Sequence, residues 1–193
     1  MDKLKKYCLS LVEFSQNELD IIDEYFSPVS VKKKKYLLEE GKICDFIAFI
    51  TKGSIQHFHI KNGDEITCDI SFENTFITEF NSFNKDVLSN ISFQALEDTE
   101  LLVVRKDKLI ELYKRNVKFE NLGRLIAEDV AIRNTQIAMS LASDKPEIRY
   151  KNLLADKPGI FQRVPQKYIA NILGITPESL SRIRKRIYTN LKS

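Results

Sequence analysis

A chain of 193 residues, 43% hydrophobic and 30% charged, has the composition of a folded globular protein with one large or two small domains. It opens on no signal peptide and holds no apolar run long enough to cross a bilayer, so a cytoplasmic location with no membrane partner is expected. Cys8, Cys44 and Cys68 are odd in number and widely spaced, which suits neither a disulfide framework nor a zinc site. The net charge of +3 conceals an asymmetry: from Ser143 onward 11 Lys and Arg face 4 Asp and Glu, and before it 19 face 23. A basic C-terminal segment behind an acidic body is the electrostatic footprint of nucleic-acid binding.

Taken in order, Phe14-Ser15-Gln16-Asn17-Glu18-Leu19 opens a helix, with Ser15 and Glu18 at capping-box spacing and Phe14 and Leu19 placed for a hydrophobic staple. That helix should end before Pro28. The cations Lys32 to Lys35 read as a solvated strand or loop edge in acidic surroundings. From Asp45 to Val104 the texture is β: Phe46-Ile47-Ala48-Phe49-Ile50, then Ile55 to Ile60, the tight turn Asn62-Gly63, Glu65 to Phe72, Ile91 to Leu96 and Leu101 to Val104. Short strands at this spacing predict a small antiparallel roll or barrel. His57 and His59 share one strand face but have no third ligand at metal spacing, so no metal site is assigned and both are read as surface histidines.

Residues 108–142 are helical, with a bend expected near Asn116 or Gly123. Phe119, Leu122, Ile126, Val130, Ile137 and Leu141 form one apolar stripe, and Leu125, Ile132 and Met139 a second. Two stripes need two surfaces, one on the roll and one on a symmetric copy, so this is the expected dimerisation helix. Ser143-Asp144-Lys145-Pro146 breaks the pattern as a hinge, helix resumes at Pro146-Glu147, and Asp156-Lys157-Pro158-Gly159 is a turn.

The segment from Val164 to Leu191 reads as a helix-turn-helix. Pro165 suits a first helical turn, Ile169, Ile172 and Leu173 recur at helical spacing, and Gly174 supplies the left-handed stop. Only Ile175 separates that stop from Thr176, an N-cap followed by Pro177 and Glu178. On the second helix Leu180, Ile183 and Ile187 form an apolar stripe opposite Glu178, Ser181, Arg182, Lys185 and Thr189. Arginine can bond guanine O6 and N7 together and glutamate can accept from cytosine N4, so this face suits the DNA major groove. Glu178, Ser181 and Arg182 are assigned to bases. Thr176 caps the helix, Gln166 and Lys167 meet phosphate, and Arg184, Lys185 and Arg186 add backbone neutralisation.

Ile-Ala-Asn-Ile-Leu-Gly-Ile-Thr-Pro-Glu-Ser-Leu-Ser-Arg-Ile-Arg-Lys resembles the helix-turn-helix of the cyclic-AMP receptor protein and fumarate–nitrate regulator (Crp/Fnr) family of bacterial transcription factors, whose recognition helix typically reads Ser/Thr-x-Glu-Thr/Ser-Val/Leu-Ser/Gly-Arg. Thr176, Glu178, Ser179, Leu180, Ser181 and Arg182 match it, and the resemblance implies base-reading roles for Glu178 and Arg182. Pro177 stands where the family often carries a contacting Arg, so that contact is lost. The family's β-hairpin wing is not expected, since the sequence stops at Ser193. Gly41, the segment Phe49-Ile50-Thr51-Lys52-Gly53-Ser54 and the Asn-Gly hairpin resemble the family's cyclic-nucleotide-binding roll. An iron–sulfur sensor needs four thiolates, which three cysteines cannot supply.

In the family's phosphate cassette, Gly-Glu-Leu is followed about ten residues after the Glu by Arg-Ser/Thr-Ala. Here Thr78 replaces the Gly, Glu79 fits the ribose position, and Ser89 and Asn90 stand where the Arg belongs; Leu88 to Leu96 contains no cation. A buried phosphate without its guanidinium loses a charge-assisted pair of about 2–5 kcal/mol. Thr78, Glu79, Ser89 and Asn90 are thus the candidate ligand pocket of a degenerate domain that is not expected to take cyclic AMP.

The sequence therefore predicts an α+β protein: a β-roll over 1–107, a dimerisation helix over 108–142, and a helix-turn-helix domain over 143–193 without a wing. The expected function is a homodimeric regulator binding a pseudo-palindromic double-stranded DNA operator, with RNA polymerase a further partner that the resemblance implies. The effector is left unassigned. The alternative is a ligand-binding or protein-interaction module whose C-terminal helices bind no DNA. No cofactor is expected, nor enzymatic activity, since no nucleophile–base set or P-loop is present.

Overall fold

The structure, a computed structural model, describes residues 1–190. Leu191, where the expected motif ends, and Ser193 lie outside the described residues. Two helices lead the chain, α1 (Asp2–Leu11) and α2 (Gln16–Tyr25). The capping box of α2 forms as expected: Ser15 Oγ accepts from the Glu18 N–H, and the Glu18 carboxylate accepts from the Ser15 N–H. Nothing in the sequence pattern had marked α1.

Eight strands follow among the described residues: β1 (Ser27–Val31), β2 (Tyr36–Leu38), β3 (Phe46–Lys52), β4 (Ile55–Lys61), β5 (Asp64–Ser71), β6 (Phe76–Ile77), β7 (Ser92–Ala95) and β8 (Thr99–Arg105). They form two antiparallel four-stranded sheets, β1-β8-β3-β6 and β2-β7-β4-β5. Asn62 and Gly63, both at positive φ, close the β4–β5 hairpin. Lys32 to Lys35 lie in the exposed turn between β1 and β2, where Lys34 is left-handed and Lys32 pairs with Asp98.

The unbroken apolar run of β3 has a two-sided cause. Phe46, Ala48 and Ile50 point between the sheets, whereas Phe49 belongs to the core under the helices. A strand covered on both faces cannot alternate with polar residues. α1, α2 and α4 (Lys106–Arg115) supply the outer cover, together with the first turns of α5 (Val117–Ser143).

The expected bend in the long helix is a full break at Asn116, whose backbone is extended (φ −163°, ψ 137°). Its side chain accepts from the Lys118 N–H and donates to Glu18, so the break is tied to the cap of α2. Gly123 stays helical; a Cβ there would lie 2.1 Å from the Tyr113 hydroxyl, so any side chain would force the Tyr113 ring to shift. Beyond Leu122, α5 is largely exposed, with Ile132 and Met139 59% and 65% open.

The C-terminal part contains α6 (Pro146–Asp156), the single turn α7 (Ile160–Arg163), α8 (Gln166–Ile172) and α9 (Pro177–Asn190). Pro146 begins α6 and left-handed Gly159 shapes the turn after it. Tyr150, Leu153, Ile160, Val164, Ile169, Leu173, Leu180 and Ile183 form its core, completed by Ile70 of β5. The two parts thus share one apolar cluster across the expected hinge.

Candidate functional site

α8 ends through its hydrogen bonds. Gly174 sits at φ 63°, its N–H reaches the Asn171 carbonyl (2.8 Å), and the Ile175 N–H reaches the Ala170 carbonyl (3.0 Å). That paired closure satisfies the last carbonyls of α8 and reverses the chain within three residues. Pro165 stands at the cap position before α8 instead of inside its first turn. The Thr176 hydroxyl accepts from the Ser179 N–H (3.2 Å) and starts α9.

α9 then separates its faces. Leu180 and Ile183 are buried, while Thr176, Glu178, Ser181, Arg182, Lys185 and Arg186 are exposed and Arg184 is half-buried. The Glu178 carboxyl is held below its ordinary range by its backbone hydrogen bond, by Thr176 and by the nearby Arg182 charge. Gln166, Ser181, Arg184 and Lys185 line one shallow groove. Arg184 stacks over Phe161 at 4.4 Å and Lys167 over Tyr168 at 4.7 Å, whereas Arg186 is engaged by Glu147. Of the side chains assigned to DNA, Gln166, Ser181, Arg184 and Lys185 therefore share one groove, Thr176, Glu178 and Arg182 are exposed on α9, and Arg186 is already paired.

The second site is a cavity of about 320 Å³ between the roll and α5. Its walls are mostly apolar, among them Phe76, Ile77, Ile91, Leu122, Ile126 and Val130. Thr78 and Glu79 line it; Ser89 and Asn90 do not. Glu79 is used as the cap of α3 (Phe80–Lys85), accepting from the Asn81 and Ser82 N–H groups. Thr78 donates to the Phe46 carbonyl (2.8 Å), and Ser89 is closed in a local turn, donating to the Ile91 carbonyl (2.7 Å).

Sequence reasoning missed the cavity's polar end. The reading of His57 as a surface histidine is corrected: it turns inward against Phe93 (4.3 Å), and its Nε2 is buried without a partner. Burial lowers its pKa to about 4, against the opposing pull of Asp69 and with the help of Lys157 and Arg133. Ser71 Oγ and Arg133 Nε line the same cavity and are likewise buried without a partner among the described residues. Asp69 is turned to Lys157, which donates to it at 2.7 Å and to the Ile70 carbonyl at 2.6 Å. A bulge between His57 and Phe58 breaks the strand alternation here, a feature that residue pattern does not announce. His59 lies 3.3 Å from Cys68 Sγ at the strand edge.

Three side chains of the C-terminal part fasten it to the roll. Arg163 pairs with Glu73 and Glu97, Lys157 with Asp69, and the Asn171 side chain accepts from the Thr67 N–H (3.2 Å).

Residues 28–116 match the model of the cyclic nucleotide-binding domain family. No curated protein matches the chain in sequence. Among solved structures the chain is similar to the catabolite activator protein of Thermus thermophilus (20% identity, TM-score 0.57, 95% of this chain and 87% of that one). It is also similar to FixK2 of Bradyrhizobium japonicum (15% identity, TM-score 0.69, 86% and 85%). A crp/fnr-family regulator of Eubacterium rectale gives 15% identity, TM-score 0.67 and coverage of 92% and 85%. At these identities the likeness is one of fold. Residues 28–116 are thus similar to the cyclic nucleotide-binding domain family, and the fold of the chain is similar to that of the Crp/Fnr regulator structures.

Proposed function

We propose that the chain is a transcription regulator that binds double-stranded DNA as a homodimer, with α8 and α9 as its helix-turn-helix and α9 in the major groove. The observation that carries this reading is the open polar face of α9, with Glu178, Ser181 and Arg182 exposed directly over buried Leu180 and Ile183. The tight closure at Gly174 adds to it, since so short a turn sets α8 and α9 across each other as a helix-turn-helix requires. Dimerisation is supported by the exposed Ile132 and Met139 of the second stripe of α5, an apolar surface that a second copy of the same helix would cover. A twofold axis would set the two α9 helices about 34 Å apart and call for a pseudo-palindromic operator.

Cyclic AMP is not the effector in this reading. Glu79 is spent on the cap of α3, and among the described residues Arg133 of α5 is the one Lys or Arg that lines the cavity. The roll over 1–107, the helix over 108–142 and the DNA-binding part from 143 are the proposed working units, although Ile70 bridges the last boundary.

Selection of random duplexes tests the proposal. The wild-type chain should enrich an inverted repeat, and Arg182→Ala should relax preference at one position per half-site at a cost of about 1–3 kcal/mol. No enriched sequence, together with no salt-sensitive duplex binding, would favour an interaction module instead.

A further inference from the structure

Three polar atoms with no partner among the described residues belong to side chains that line one cavity, His57 Nε2, Ser71 Oγ and Arg133 Nε, and Ser71 and Arg133 also border the neighbouring cleft of Lys157 and Arg163. Native proteins rarely leave such atoms unsatisfied, because each costs about 1–3 kcal/mol in desolvation. Ser71 is 3% exposed, so bulk solvent does not serve its hydroxyl. The three come from two strands and a helix, β4, β5 and α5, so no local turn explains their grouping. Most of the remaining wall is apolar, from Phe76 and Ile77 on the roll to Leu122, Ile126 and Val130 on α5, with Asp69, Thr78, Glu79 and Asn134 among its polar exceptions.

We propose that this cavity binds a small organic monoanion, a carboxylate on an apolar body, with Arg133 and Ser71 holding the carboxylate and His57 completing its hydrogen bonds. The charge inventory sets the valence. Asp69 is neutralised by Lys157 at 2.7 Å, and the Glu79 carboxylate is taken by the Asn81 and Ser82 N–H groups. Among the described residues Arg133 is the cation of the lining that has no carboxylate partner, so one carboxylate pairs it and a dianion would leave a charge unpaired. The wall chemistry sets the body. Isoleucine, leucine, valine and phenylalanine reward an alkyl or aryl group, and offer little to the hydroxyls and ring nitrogens of a nucleoside. The inference stands apart from DNA binding by α9, and its test reads no DNA.

The experiment is calorimetric titration of the full chain with octanoate, octanol and cyclic AMP. Octanoate should bind at least tenfold tighter than octanol, and cyclic AMP no tighter than octanol. Arg133→Gln should weaken octanoate about 10- to 100-fold, the loss of a charged hydrogen bond, and leave octanol unchanged. Ser71→Ala should cost octanoate a smaller factor, again sparing octanol. Far-UV circular dichroism and a melting curve establish that each variant is folded; should Arg133→Gln fail to fold, the wild-type ratio and Ser71→Ala decide. Equal binding of octanoate and octanol, no binding of either, tighter binding of cyclic AMP, or an octanoate affinity indifferent to both substitutions would overturn the proposal.

Discussion

Arg163 holds Glu73 with two parallel hydrogen bonds, Nη1 to Oε2 at 2.9 Å and Nη2 to Oε1 at 2.8 Å. The same guanidinium reaches Glu97 and lies 4.8 Å above the Phe72 ring. Together with the Lys157–Asp69 pair, the Asn171–Thr67 hydrogen bond and buried Ile70, this fork holds the C-terminal helices on the roll. Arg163→Ala should cost about 1–2 kcal/mol in urea unfolding, since the pair is charge-assisted but partly open to water. Arg163→Lys should recover less than half of that, because an ammonium cannot make the fork. Amide exchange in α6 to α9 should quicken more than in the roll; unchanged exchange there would remove the fastening role.

Acid should weaken the fold in two successive windows. His57 has its pKa lowered to about 4 from an ordinary 6.5, so the unfolded chain takes up the proton first. Its contribution is complete above pH 6.5 and falls by at most about 1.4 kcal/mol per pH unit down to pH 4. Glu73 follows. Burial alone would raise its carboxyl, but Arg163, its own backbone and the Gly53 N–H outweigh that and hold it down to about 2. Stability from this group is present above pH 4.5 and is lost as pH falls toward 2. Urea midpoints across pH should show His57→Gln flattening the upper window alone and Arg163→Ala flattening the lower one alone.

Gly174 tolerates no side chain cheaply. It sits at φ 63°, and an added Cβ would lie 3.3 Å from Leu141 Cδ2. Gly174→Val should lower stability by about 1–2 kcal/mol, and Gly174→Asn by less, as asparagine accepts the left-handed conformation. Thermal melts of the two variants check the order; equal melting points would mean that the turn is not under this constraint.

Lys185 is exposed and Arg186 is paired with Glu147, so the two cations should differ in their service to phosphate. Lys185→Ala should weaken all duplexes alike and reduce the salt slope of binding by about one unit. Arg186→Ala should reduce it by less, as measured by fluorescence anisotropy across a salt series.

The apolar stretch of α5 should govern assembly. Ile132→Glu with Met139→Glu places two charges where 59% and 65% exposed apolar side chains stand. Sedimentation should show the wild-type chain as a dimer and the double variant as a monomer with an unchanged melting point at low concentration. A wild-type monomer would overturn the reading of this face.

Local chemistry made much of the fold legible. The Ser15–Glu18 box, the Asn62-Gly63 hairpin and the Gly174 stop each rest on residues that meet in sequence, and each forms as expected. β1, β2 and β6 escaped notice because they are two to five residues long and held by distant partners such as β8 and β7. The candidate ligand residues fared less evenly. Thr78 and Glu79 lie at the cavity, whereas Ser89 folds into a turn of its own. His57, Ser71 and Arg133 were out of reach, since they come together only through a bulge in β4 and the course of α5 over the sheet. No spacing rule relates residues fourteen and sixty-two positions apart.

Ile70 is fully enclosed among side chains of α6 to α9, yet it belongs to the second sheet. Severed from the roll, the last fifty residues would carry a void the size of a butyl group. Grafting them onto another fold would therefore require transplanting a strand residue along with the helices, and exchange of this part of the chain is constrained at that joint.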